Sequence, residues 1–145
     1  LFCFLYSPMG KILAIDYGTK RVGLAVTDDL KIIASALATV HANEVIDFLL
    51  EYLKKNEVET FVVGNPKNMD NTPSQVAEAV SNFVKHLQRV FKNIPVKLID
   101  ERFTSKMAFQ TMIDSGIKKK ARKNKGLVDK ISAVIILQSY LEMTP

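Results

Sequence analysis

The spacing of apolar residues changes several times along the chain, and each change marks an element. Ile12 to Ile15 is an unbroken apolar run, the pattern of a central strand covered on both faces, and it stops at Asp16. After a Gly-Thr turn, Val22, Leu24 and Val26 alternate with Arg21, Gly23, Ala25 and Thr27, which predicts a second strand ending in a hairpin turn at Thr27-Asp28-Asp29. Ile32 to Val40 supply a third β-rich stretch, so the chain up to Val40 reads as an antiparallel meander. From Asn43, a candidate N-cap, the period becomes helical through Val45, Ile46, Leu49, Leu50, Tyr52 and Leu53, and the helix runs to about Asn56. The segment TFVVG, 60–64, is another short strand, closed by Asn65-Pro66. Val76, Val80, Phe83, Val84, Leu87, Val90 and Phe91 then mark one face of a long helix that Ile94-Pro95 ends. A fifth strand, VKLI at 96–99, runs into DERFTS, where Thr104 or Ser105 can cap a helix stopping at Gly116. A basic run follows, and then a last helix from about Leu127 to Glu142.

The order βββαβαβαα predicts an α/β fold: a five-stranded mixed sheet, three strands antiparallel and the later ones parallel, with helices on both faces. At 145 residues, 48% hydrophobic and 24% charged, the chain has the size and composition of one domain with its own core. The opening LFCFLYSP is apolar, but it is far short of the roughly 20 residues a membrane span needs and lacks the basic start of a signal peptide. With Met9-Gly10 as a natural start, residues 1–8 are expected to be an extension without function and 9–145 a single domain. The lone Cys3 can form neither an internal disulfide nor a zinc site, which points to an intracellular, cytoplasmic protein. A formal charge of +5 favours an anionic partner, nucleic acid among them; no membrane partner is expected, the apolar opening being too short to span one.

Acidic residues fall at the boundaries of three separate elements: Asp16 after the first strand, Asp100 and Glu101 after the fifth, and Asp129 early in the last helix. If the first strand is central and the later ones lie parallel beside it, the ends of the first and fifth open onto one edge. Carboxylates gathered there repel unless cations neutralise them. Hard divalent ions such as Mg²⁺ or Mn²⁺ prefer oxygen ligands, and a pair of them can activate water and stabilise the leaving oxygen in phosphodiester cleavage.

DYGTKRVGLAVTD, VGNP, DERFTS and DKISAVIILQSYL, in this order and at these separations, resemble the YqgF family of RNase H-like nucleases, also described as Holliday-junction resolvase-like; the resemblance covers the chain from Met9 onward. It implies an RNase H-like fold, a site dependent on Mg²⁺ or Mn²⁺, and Asp16, Glu101 and Asp129 as metal-binding, catalytic acids. It further implies processing of the 5′ end of pre-16S ribosomal RNA, or cutting of branched DNA, with pre-ribosomal particles as a setting and a monomer or homodimer as the acting form. Asp100 could be the ligand in place of Glu101, although alternation along a strand sends the two opposite ways. Asn65 stands where the family commonly has Leu, and Ser105 where it has a second Thr; neither is a proposed ligand.

Each of these residues also has a plainer role. Asp16 could start a turn before Gly18, and Asp129 could favour a helix N-terminus by about 0.3–1 kcal/mol. Small residues Ser132 and Ala133, one turn after Asp129, instead suggest close docking on the sheet. Gly18 and Gly23 suit either a tight turn and strand crossing or close approach to a phosphate. Lys20 and Arg21 flank Asp16, and Arg102 and Lys106 flank Glu101, as candidate phosphate contacts. Lys118, Lys119, Lys120, Arg122, Lys123 and Lys125 form a candidate clamp on a nucleic-acid backbone. His41 and His86 read as surface residues, and Asp28 and Asp29 as a hairpin turn, with Asp28 also a candidate for the periphery of the site. Two other functions compete: an actin-like phosphotransferase, whose second lobe and second glycine-rich loop this chain lacks, and a non-catalytic RNA-binding assembly factor.

Overall fold

The computed structural model describes residues 10–65, 75–100 and 125–143. Strands β1 (Lys11–Tyr17), β2 (Arg21–Thr27), β3 (Ala34–His41), β4 (Val58–Asn65) and β5 (Val96–Asp100) form one sheet in the order β3-β2-β1-β4-β5. β2 is antiparallel to β1 and β3, while β1, β4 and β5 run parallel. The helices are α1 (Val45–Leu53), α2 (Gln75–Val90) and α3 (Lys125–Met143). The predicted mixed sheet with covering on both faces is therefore present. The expected helix ending at Gly116, like the extension at residues 1–8, lies outside the described residues.

The unbroken apolar run of β1 is explained by two cores. Leu13 and Ile15 face one way and pack with Val22, Leu24, Phe61 and Val63 beneath α1 and α2. Ile12 and Ala14 face the other way and pack with Ala25, Val62 and Ile99 beneath α3. In α3, Ala133, Ile136 and Leu137 are buried with Tyr140 and Leu141 packed alongside, a stripe at helical spacing. Asp129 lies four residues before Ala133, on the continuation of that stripe.

Three local expectations are corrected. Ile32 and Ile33 lie in the β2–β3 turn rather than in the third strand, because the Asp28 carboxylate accepts hydrogen bonds from both of their backbone N–H groups, at 2.8 and 2.9 Å. Asn43 is no helix cap: it sits inside a 3-10 turn, Ala42–Glu44, and α1 starts without a side-chain cap. The last helix begins at Lys125, which moves Asp129 into its second turn and removes most of the helix-terminus reading for that carboxylate.

Thr27 closes the far end of the β1–β2 pairing. Its hydroxyl oxygen, buried in a residue 2% exposed, accepts from the Ile12 N–H at 2.8 Å. Thr27→Val keeps the shape and leaves that buried N–H unpaired, so the chain should lose about 1–3 kcal/mol of stability, read as a lower denaturant midpoint at unchanged slope.

Candidate active site at the carboxyl end of β1

Asp16 has the same parity as Ile12 and Ala14, so its side chain belongs to the α3 face of the sheet, at the end where β1 leaves the core. Its partner across the antiparallel ladder is Gly23. A methyl group at Gly23 would overlap the backbone carbonyl of Asp129. The first part of α3 is thus seated directly on the bare backbone of β2, beside Asp16. The small side chains of Ser132 and Ala133, 3% and 0% exposed, continue the close contact one turn later. This answers what the two glycines do. Gly23 admits the backbone of α3 rather than a phosphate, and Gly18 serves the β1–β2 turn, where its N–H donates to the Arg21 carbonyl at 3.0 Å.

Arg21 begins β2 two residues before Gly23 and shares its face. Its Nε donates to Asp129 Oδ2 at 3.1 Å. The side chains are 37% and 24% exposed, and an ion pair that open to water contributes about 0–1 kcal/mol to stability. Lys20, in the preceding turn, is exposed.

Asp100 is excluded from this group by strand parity. Val96 packs into the core under α1 and α2 and Ile99 into the core under α3, so Asp100 belongs with Val96, on the face opposite Asp16. Glu101, Arg102, Lys106, Lys118, Lys119, Lys120, Arg122 and Lys123 lie outside the described residues, and Lys125 opens α3. Among the described residues, no three His, Cys, Asp or Glu side chains are arranged to hold a metal ion. Asp16 and Asp129 are oxygen donors of the kind a hard cation takes, Mg²⁺ being commonly held by one or two carboxylates with several waters.

A groove of about 610 Å³ lined by Tyr17, Asn43, Asn82 and His86 lies on the other face, under α1 and α2. Asp28 is removed from the site's periphery: it follows the far end of β2, five residues from Gly23, or roughly 17 Å at strand spacing. Backbone N–H groups of Ile33 and then Ile32 hold its carboxyl below the usual range. Because the folded value is depressed, its stabilising effect is present above the unfolded value of about 3.9 and is lost as pH falls through the lower folded value. The stability gap between wild type and Asp28→Ala should therefore narrow as pH falls below about 4 in denaturation series.

Among the described residues no helix is long and apolar enough to cross a membrane. Comparison with known proteins gives a consistent picture. The profile of a family described as RuvX, Holliday junction resolvase, matches residues 10–143. A protein of Christiangramia forsetii is 56% identical over 133 residues, spanning 92% of this chain and 98% of its own. One from Flavobacterium johnsoniae is 54% identical over 133 residues, spanning 92% and 96%. Both bear the name "Putative pre-16S rRNA nuclease". Among solved structures, Thermus thermophilus RuvC in complex with a Holliday junction substrate superposes with a TM-score of 0.56 at 18% identity, over 92% of this chain and 96% of that one. That likeness identifies the fold as RNase H-like.

Proposed function

The chain belongs to the RuvX family of Holliday junction resolvases, the YqgF family whose motifs it carries, and is a nuclease; from that premise we propose that it hydrolyses phosphodiester bonds at the 5′ end of pre-16S ribosomal RNA, with Asp16, Glu101 and Asp129 as its metal-binding acids. The observation that carries the assignment of residues is the seating of Asp129 on Gly23, directly across the ladder from Asp16. A residue from α3 and one from β1 thereby share one face of one strand end. The third acid is Glu101, as the motif DERFTS implies, since Asp100 belongs to the wrong face.

Bound divalent ions, Mg²⁺ or Mn²⁺, would supply electrophilic stabilisation of the phosphoryl oxygens and a more acidic water. The protein's own part is different. Asp16 and Asp129 bring negative charge to a rigid strand end and a rigid helix, where their separation is set by backbone packing. Lys20, Arg102, Lys106 and the basic run Lys118, Lys119, Lys120, Arg122, Lys123 and Lys125 position the polyanionic backbone, with Arg21 at the same edge. The substrate is held by its phosphates, without base reading, as suits a processing enzyme directed by RNA structure within a pre-ribosomal particle.

The test is cleavage of a labelled pre-16S RNA fragment and of a four-way DNA junction, each with Mg²⁺ and with Mn²⁺. Cutting of the RNA at its 5′ leader supports the proposal. Cutting of the junction alone would assign the chain to DNA resolution, and tight RNA binding without cutting under any metal would leave a binding factor.

A further inference from the structure

We propose that Arg21 is the positioning residue of Asp129: by donating from Nε to Oδ2, it turns the carboxylate so that the other oxygen is presented beside Asp16 for a divalent ion. This rests on the reading of Asp16 and Asp129 as metal-binding acids. The contact joins residues 108 apart in sequence, at 3.1 Å, across the junction of β2 and α3. Both partners are too open to water for the pair to be chiefly a stabilising device. What it does supply is direction. An aspartate on a helix surface has two free side-chain torsions, and its own backbone, packed on Gly23, fixes only where the side chain starts. Arg21 starts on the same face of the same strand as Gly23, so a single short segment of β2 sets both the place of Asp129 and its orientation. Carboxylates that bind metals are commonly held by a second hydrogen bond of this kind, and losing it weakens metal affinity by about 10–100-fold.

The expected effect of removing Arg21 is opposite in sign to simple electrostatics. A cation beside two carboxylates repels an incoming divalent ion, so if charge alone mattered, removing it would tighten metal binding. If orientation matters more, Arg21→Ala weakens it. Arg21→Gln separates the two effects: the glutamine amide nitrogen follows Cδ, as Nε does in arginine, and it can donate the same hydrogen bond without the charge. The measurement is Mn²⁺ titration of the folded proteins, reading the free ion by electron paramagnetic resonance, with circular dichroism and melting temperature as controls for folding. The expected result is affinity about 10–100-fold weaker in Arg21→Ala and largely restored in Arg21→Gln. Unchanged or tighter binding in Arg21→Ala would overturn the role of Arg21, and so would a Gln variant no better than Ala. If wild type binds Mn²⁺ and Asp129→Ala does not, those failures concern Arg21 alone. A wild type that binds no Mn²⁺ would defeat the reading of the site itself, and Arg21's role with it.

Discussion

Asp16→Ala should reduce metal-dependent phosphodiester cleavage by about 10³-fold or more and leave the protein folded. A bound ion at such a site is worth several kcal/mol of transition-state stabilisation, and about 4 kcal/mol is equivalent to that factor in rate. The fold should tolerate the change because Asp16 lies past the buried part of β1: Ile12 to Ile15 are at most 5% exposed, and Asp16 is only half-buried. Asp16→Asn, which keeps the shape and removes the charge, should be as inactive as the alanine variant. Asp100→Ala is the contrasting control, expected to retain most activity because Asp100 belongs to the other face of the sheet. Substantial cleavage by Asp16→Ala in Mn²⁺ would sink the assignment of this edge as the active site. Activity lost equally with Asp100→Ala would show that strand parity does not choose between the acids of β5.

The second large effect is expected from one methyl group. In Gly23→Ala the new Cβ would occupy the space of the Asp129 carbonyl, a backbone atom that cannot move aside as a side chain can. Either β2 or α3 must shift. Overpacking of this kind costs about 1–3 kcal/mol, and more where backbone cannot yield. At the upper figure the melting temperature should fall by roughly 5–10 °C for a chain of this size. Activity should fall further than stability, because a catalytic group displaced by about 1 Å can lose about 10²-fold in rate. Thermal denaturation and cleavage assays on the same sample distinguish this from a general weakening: a protein still fully folded at the assay temperature should already be poorly active. Wild-type activity with a normal melting temperature would mean that α3 does not need to sit directly on β2.

These two residues differ in how far they can be read from the chain alone. Asp16 is conspicuous because it is the first polar residue after a run that both cores bury, and an acid in that position interrupts an otherwise continuous pattern. Gly23 is not conspicuous. A glycine within an alternating strand is compatible with a bulge, a crossing or a ligand approach, and only the arrival of α3 decides among them. The same limit explains the misplaced start of the third strand. Ile32 and Ile33 have strong β preference, yet they are 69% and 62% exposed in a turn, since Asp28 captures their backbone N–H groups before a ladder can.

From its sequence alone the order of the protein's described elements is determined, and with it the sheet's mixed character, the apolar faces of the helices and the strand ends at which acids can gather. Those features depend on periodicity and on local chemistry, which act over a few residues. Tertiary structure alone decided that Asp129 lies over Gly23, that Arg21 is its partner, and that Asp100 belongs to the wrong face. Each of those depends on the register of strands and the depth of α3's docking, set by side chains more than 100 residues apart meeting in one layer.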